Sequence, residues 1–290
     1  MKWPRVNKHI APPAFQRTKG TGRIVVKQSA GRTRIDQLYQ KSAARIRVPD
    51  HPGRNDLEAV IINTAGGVTG GDDLAWEASA GAGTHLTVTT QACEKIYKAG
   101  QDTANVKVRL DVAAGATLNW LPQETIFFDQ ARLRRTITAT IEEHATLLLV
   151  EPVIFGRRAM NETMRTGLWH DTWRIHHKGS PIHAENVRLS GEIAQTLDRN
   201  ASLGGHTTLA TLALVGNHAE GKLDGARAVM NNVPGCVGGA SCWTVADVSK
   251  LIVRLAAHDG YTLRQALIPL INHLASSGEQ KASVPKIWSL

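Results

Sequence analysis

Asn63-Thr64-Ala65-Gly66-Gly67-Val68-Thr69-Gly70-Gly71-Asp72 follows directly on the short apolar run 57–62 and packs two glycine pairs into six residues. Glycine loses more conformational freedom on folding than any other residue, so such a loop survives only where the backbone needs positive φ or close contact. A phosphate cradle is the first chemistry to test. A P-loop carries lysine and a hydroxyl residue straight after its last glycine, whereas Asp72 and Asp73 stand there and would repel a phosphate. The dinucleotide pattern G-x-G-x-x-G is also missing, and residues 74–80 alternate like a strand where that motif needs a helix. The expected structure is a glycine-rich turn or bulge between two strands.

Outward from this loop, most of the chain reads as strand. The runs 23–27, 57–62, 86–90, 106–110, 136–141 and 147–150 are β-branched and punctuated by Gly, Asp and Pro. Three segments are alike: Ala80-Gly81-Ala82-Gly83-Thr84-His85-Leu86, Val112-Ala113-Ala114-Gly115-Ala116-Thr117-Leu118, and Ile141-Glu142-Glu143-His144-Ala145-Thr146-Leu147. Each joins two strand-like runs, and a spacing of roughly 30 residues suggests stacked β layers rather than a βαβ sheet. Turn chemistry arrived at by coincidence is the alternative.

Helical periodicity is confined to the C-terminal end. Val245, Val248, Leu251, Ile252 and Leu255 fall on one helical face, with Thr244 as cap and Asp259-Gly260 as stop. A second stripe runs through Leu263, Ala266, Leu267, Leu270, Ile271 and Leu274, capped by Thr262 and kinked at Pro269. Both stripes read as core rather than partner surface. A polar linker, 276–283, leads to a tail at 284–288 with an extended apolar pattern. No composition break divides the chain, so we expect a single domain over 1–290, with 1–20 a flexible basic N-terminal segment. The expected class is mainly β (α+β): stacked sheets with a pair of C-terminal helices.

Hydrophobic residues make up 42% and charged residues 20% of the 290, the profile of a soluble globular chain. No apolar run approaches the ~20 residues of a membrane-spanning helix, and the N-terminus lacks the apolar core of a signal peptide. Three cysteines, Cys93, Cys236 and Cys242, make no disulfide framework, which fits a reducing cytoplasm. Cys93 reads as a small buried side chain. The net charge of +9 raises nucleic-acid binding, but aromatics are 5% and the arginines are dispersed. A basic surface that meets an acidic protein, or is merely solvated, fits at least as well.

Chemistry is harder to find. His170, His176, His177 and His183 lie close in sequence, yet their spacing matches no zinc signature, and adjacent His176 and His177 point to opposite faces of a strand. Cys236 and Cys242 have no usual ligand spacing. No nucleophile elbow is present. Carboxylates do gather mid-chain, at Glu124, Asp129, Glu151 and Glu162, several of them beside strongly apolar residues. They could be acid and base, could line a polar passage for a cation, or could simply pair with nearby arginines.

Together these segments resemble one family, urease accessory protein D, also called UreD or UreH. The resemblance rests on Asn63 with Gly66, Gly67, Gly70, Gly71 and Asp72; on Thr90-Gln91 followed by Lys95 and Tyr97; and on Leu121-Pro122-Gln123-Glu124 with Phe128. It continues through Phe155-Gly156-Arg157, Met160 and Glu162 to Asp259-Gly260-Tyr261, Leu263-Arg264 and Pro285-Lys286-Ile287-Trp288. Asn161 replaces a usual glycine and Lys286 a usual arginine. Asn tolerates positive φ better than most residues, so the turn at 161 should survive.

The resemblance implies a non-enzymatic urease accessory protein with a mostly β fold. It would bind accessory protein F directly, accessory protein G (a GTPase) through F, and the urease structural subunits, assisting nickel insertion. It also implies an internal nickel passage, for which Glu124, Asp129, Glu162 and Asp72 are the candidate lining or nickel-contacting residues. A few oxygen ligands would hold nickel weakly enough to release it, so no tightly bound metal or cofactor is expected. A histidine-based metalloenzyme and a basic nucleic-acid binder are the competing readings.

Overall fold

The computed structural model describes residues 17–276 and 284–289. Its elements run β1 (Lys19–Ser29), β2 (Arg32–Ser42), β3 (Ala44–Arg47), β4 (Leu57–Asn63), β5 (Asp73–Ala80), β6 (His85–Thr90) and β7 (Glu94–Ile96). They continue with β8 (Ala104–Val112), β9 (Thr117–Leu121), β10 (Thr125–Phe127), β11 (Arg132–Ile141), β12 (Thr146–Phe155), β13 (Thr166–His177) and β14 (Ser180–Glu192). The remainder is α1 (Ile193–Asp198), β15 (Thr208–Val215), α2 (Leu223–Asn231), β16 (Cys236–Val245), β17 (Val248–Ala257) and α3 (Gly260–Ala275). Most residues 1–20 of the expected N-terminal segment lie outside the described residues; β1 begins at Lys19.

Among the described residues the strands form two sheets. The seven-stranded sheet has the order β14-β13-β11-β8-β5-β1-β2, and the ten-stranded sheet β16-β17-β15-β12-β9-β6-β4-β3, with β7 and β10 paired beside β12. From β4 to β13 the chain alternates between the sheets, and successive rungs pair in parallel: β5 with β8, β8 with β11, β6 with β9, β9 with β12. Strands buried on one face alternate strictly, as β5 does in Leu74, Trp76, Ala78 and Ala80.

The three similar segments are the corners where the chain passes from one sheet to the other, stacked on each other. Gly83 N donates to Ala114 O (3.1 Å) and Gly115 N to Glu143 O (2.9 Å); Thr117 N and Thr146 N reach Thr84 O and Ala116 O at 2.8 Å. The equivalent positions Gly83, Gly115 and His144 all hold positive φ, at 65°, 65° and 56°. The repeat is therefore structural, and the expected stacked layers are present.

One core fills the space between the sheets, built on residues such as Ile24, Trp76, Leu118, Ile137 and Trp173. A second lies between the other face of the ten-stranded sheet and helices α2 and α3. The strands under those helices are buried on both faces, and that corrects one expectation. Residues 248–257 are strand β17, not a helix, and Thr244 and Val245 belong to β16. A continuous apolar run buried on two faces carries no period to tell strand from helix. The hairpin between them turns on Ala246 and Asp247, both at positive φ (48° and 63°), a conformation usually signalled by Asn or Gly.

Asp259-Gly260 likewise starts a helix rather than ending one. The Asp259 carboxylate accepts the Thr262 N–H at 2.8 Å, so Asp259, not Thr262, caps α3. The helix runs on through Pro269, whose missing N–H leaves the carbonyl of Gln265 without its usual donor. The two longer helices do pack together, but they are α2 and α3, not 245–255 and α3. Of the expected linker 276–283, residues 277–283 lie outside the described residues and Ser276 is the C-cap of α3. The tail beyond it is a 3-10 turn, Lys286–Ser289, rather than extended: Trp288 N donates to Pro285 O at 2.9 Å. No helix among the described residues is long and apolar enough to cross a membrane.

Candidate functional site

The glycine loop crosses from β4 to β5 and docks on β7. Val68 N donates to Lys95 O and Tyr97 N to Val68 O, both at 2.8 Å. Gly67, at φ 149°, shows why no side chain is tolerated: a Cβ there would sit 2.4 Å from the Tyr97 ring and 2.7 Å from Lys95 O. Gly70 is packed equally closely, with Asp102 O 2.4 Å from where its Cβ would stand. Asp72 is buried and accepts the N–H groups of Thr18 (2.7 Å) and Thr69 (2.8 Å), so its charge is spent on holding the loop. The loop is a close-packed bridge between strands, as its composition suggests.

Around it the other singled-out residues fall into contact. Tyr97 donates to Gly66 O at 3.0 Å and meets Phe128 edge-on at 5.0 Å; Arg157 lies 3.9 Å above the Phe128 ring and bonds Glu162 at 2.5 Å. Gly156 holds φ 92° beneath Glu162 O and Thr163. Asn161 adopts φ 53°, ψ 29°, the left-handed conformation that Asn tolerates better than most residues. Gln123 ties β9 to β6 through the Thr90 hydroxyl (2.8 Å) and carbonyl (3.1 Å), while Gln91 and Lys95 are exposed.

Asn63 faces the opposite way, into a surface pocket of about 180 Å³ lined by Gln91, Cys93, Glu94 and Lys95. Its amide donates to Gly67 O at 3.1 Å and to the Glu94 carboxylate at 3.2 and 3.3 Å. Ile61, Trp76, Thr90 and Glu94 also line an internal cavity of about 50 Å³ between the sheets, with Gln123, Thr125, Arg135 and Glu151. Glu94 thus stands between an outer pocket and an inner space large enough for water, which needs about 10–15 Å³.

The electrostatics of the inner space are unusual. Arg135 is fully buried and holds two buried carboxylates, Glu151 through Nη1 and Asp171 through Nε (3.0 Å) and Nη2 (2.5 Å). Burial works against the Arg135 charge, but Asp171 and Glu151 outweigh it and raise its pKa. Burial, with the neighbouring Asp171 charge, pushes Glu151 up against the pull of Arg135 and of Trp120 Nε1, which donates to it at 2.8 Å. Burial also pushes Glu94 up to about 7, against the Asn63 bond that favours its charged form. Protonation of Glu94 is therefore coupled to folding near neutral pH. A carboxyl with a raised folded pKa is charged more readily in the unfolded chain, so stability falls as pH rises from about 4.5 to about 7. We expect Glu94→Gln to lose less urea resistance than the parent chain between pH 5 and pH 8. Equal losses would contradict the assigned environment.

The four candidate passage carboxylates are not brought together. Glu124 is buried and gripped by Arg264, at 2.9 Å from Nε and 2.5 Å from Nη2. Asp129 accepts Arg165 Nη2 (2.9 Å) and the N–H groups of Arg165 and Thr166. Glu162 pairs with Arg157 and Asp72 is enclosed in the loop. Cys93 Sγ donates to Glu124 at 3.2 Å, and burial with that neighbouring charge pushes its thiol up to about 12, so it is a thiol at neutral pH. His177 bonds Ile141 O, His170 bonds Asn186, and His176 faces outward from His177 as expected. Among the described residues no group of three or more His, Cys, Asp or Glu is placed to hold a metal ion.

Glu94 and the Arg135–Asp171 pair were not singled out by the sequence reading. Arg135 had a legible signal: it occupies an inward position in β11, between buried Leu133 and Ile137. Glu94 had none beyond its place beside Lys95.

Comparison with known proteins settles the family. Residues 18–289 match the family described as UreD urease accessory protein. The chain belongs to that family. Relatives named urease accessory protein UreD include one from Rhizobium leguminosarum bv. viciae, 50% identical over 275 residues, covering 95% of this chain and 96% of the relative. One from Agrobacterium fabrum is 47% identical over 279 residues (96% and 94%), and one from Mesorhizobium japonicum is 44% identical over 281 (97% of each). The UreD resemblance read from the glycine loop, the Pro-Gln-Glu segment and the tail is thus a relationship over nearly the whole chain, and a role in the urease machinery follows from it.

Proposed function

We propose that this chain is a non-catalytic cytoplasmic scaffold of urease maturation, binding accessory protein F directly, G through F, and the urease structural subunits, and assisting nickel insertion. The observation that carries this is membership of the UreD family over residues 18–289. A lasting partner needs an apolar contact area. An open groove of about 1080 Å³ supplies one between Arg157–Glu162 and the start of α3, flanked by Met160, 67% exposed, and Tyr261, 74% exposed. Met and Tyr are favoured at interface cores. Solubility of the chain should therefore improve on co-expression with F. Pull-down with a tagged chain tests the architecture: F and urease subunits should be retained, and G only when F is present. Retention of none of them would defeat the reading.

Nickel is cargo here. Glu124, Asp129, Glu162 and Asp72 remain the proposed contacts from sequence, and Glu94, above a mainly apolar cavity that Gln123, Arg135 and Glu151 also line, adds an entry point. Oxygen donors already engaged by arginines or amides would hold a hydrated divalent ion only weakly, as transit requires. Joint replacement Glu124→Gln, Asp129→Asn and Glu162→Gln should lower nickel loading of urease several-fold in cells at trace nickel, measured per unit of folded scaffold because Glu124 and Asp129 also hold structural ion pairs. Undiminished loading would rule these residues out as passage lining.

A further inference from the structure

The seven-stranded sheet has one face in the core; its other face has no helix laid across it among the described residues, the two longer helices packing on the ten-stranded sheet instead. Alternation makes that free face predictable from register. Three rows cross it: Lys19, Asp73, Asn105, Arg134, His170, Arg188; then Thr21, Ala75, Lys107, Thr136, Thr172, Asn186; then Arg23, Glu77, Arg109, Thr138, Arg174, Ala184. The two halves differ. Over β1, β5 and β8 three of the four basic residues in these rows are matched, Arg23 with Glu77 (2.5 Å), Lys107 with Asp73 (3.8 Å) and Arg109 with Asp111 (3.1 Å).

Over β11, β13 and β14 they are not. Arg134 and Arg188 stand in one row, on either side of His170. Arg134, Arg174 and Arg188 are all exposed, and none has a carboxylate partner among the described residues; Arg174 donates only to the carbonyls of Trp173 (2.7 Å) and Glu185 (3.0 Å). From strand spacing and rise the three arginine stems fall in a patch of about 10 by 13 Å. At 0.01 M salt the screening length is about 30 Å, so at low salt all three act together on an approaching partner.

We infer that this cationic half of the free face docks an acidic surface of the urease apoprotein. The inference rests on the scaffold function proposed above. Its outward positions on β11, β13 and β14 are threonine, histidine, asparagine, alanine and arginine, with no Phe, Tyr or Trp among them to form a base-stacking platform, which favours protein over nucleic acid. A delivery scaffold must also release its client while keeping its companion. Charged faces give fast, salt-sensitive association, which suits the client. The apolar groove at Met160 and Tyr261 suits the companion F.

The test is capture of urease apoprotein, and separately of F, by the full-length chain and by the triple variant Arg134→Glu, Arg174→Glu, Arg188→Glu. Apoprotein capture should fall roughly tenfold or more in association rate at low salt, with F capture retained. The parent chain's own apoprotein binding should weaken as salt rises toward 1 M, where the screening length is about 3 Å. Unchanged apoprotein capture by the variant overturns the inference. If the reversal also costs F capture, the neutral triple variant with glutamine decides: full apoprotein capture by it overturns the inference, and reduced capture with F retained upholds it. Retention of the parent chain on duplex DNA, lost in the variant while apoprotein capture stays intact, assigns the patch to nucleic acid and also overturns it. A parent chain that binds no apoprotein at any salt removes the scaffold function itself, and this docking assignment with it, a result distinct from a variant that binds normally.

Discussion

Arg135→Met is expected to destabilise the fold by roughly 3–5 kcal/mol, the loss found when one member of a buried ion group is removed and its partners are left charged in the interior. The guanidinium is the common partner of Glu151 and Asp171, all three buried between the sheets. Methionine matches its length but not its charge, leaving two carboxylates with only the Trp120 indole and no cation. The loss should shrink when Glu151→Gln and Asp171→Asn are added to Arg135→Met, because those two groups no longer need a cation. Urea denaturation of the single and triple variants measures both steps. A single-variant loss under about 1 kcal/mol would mean that the buried group is solvated in a way the geometry does not contain.

Trp288→Ala should cost a similar amount, about 3–5 kcal/mol, as for other large buried side chains cut to alanine. Trp288 is 1% exposed although only two residues from the chain end. Its indole Nε1 donates to Thr89 Oγ1 (3.1 Å) and Leu121 O (3.2 Å), so it fastens the tail to β6 and β9. Arg264 lies 5.4 Å from its ring and donates to its carbonyl at 3.2 Å while gripping Glu124. The substitution therefore loosens α3, the tail and the Pro-Gln-Glu segment together. Thermal melting of Trp288→Ala beside Trp288→Phe separates the volume lost from the hydrogen bonds lost. If alanine melts with the parent chain, the tail is not part of the core.

The strands were legible because most of them bury one face and leave the other wet, as 106–110 and 136–141 do in β8 and β11. The corners were legible because Gly83 and Gly115 mark positive φ at matching places. The third corner carries His144 at that place, and only its similarity to the other two disclosed it. The strand at 248–257 was misread because helices cover what would be its wet side, and its hairpin turns on Ala246 and Asp247 rather than glycine.

The site was legible only in part. Gly67, Gly70 and Asp72 declared a constrained loop, but Glu124 gave no sign of Arg264, 140 residues away in the chain. Its carboxylate neighbours meet arginines nearer by, Asp129 with Arg165 and Glu162 with Arg157. Such pairings depend on how the sheets close, and no local pattern encodes them. The mouth at Asn63 and Glu94 is of the same kind, made by two strands 31 residues apart.

The superposed corners at 80–86, 112–118 and 141–147 carry one more consequence. Each borrows main-chain bonds from the corner above or below, so the column can change height only by whole storeys, and a single inserted residue at any corner would unseat its neighbours. Inserted residues should instead be tolerated at a hairpin tip such as Ala30-Gly31 between β1 and β2, where the backbone turns in open solvent.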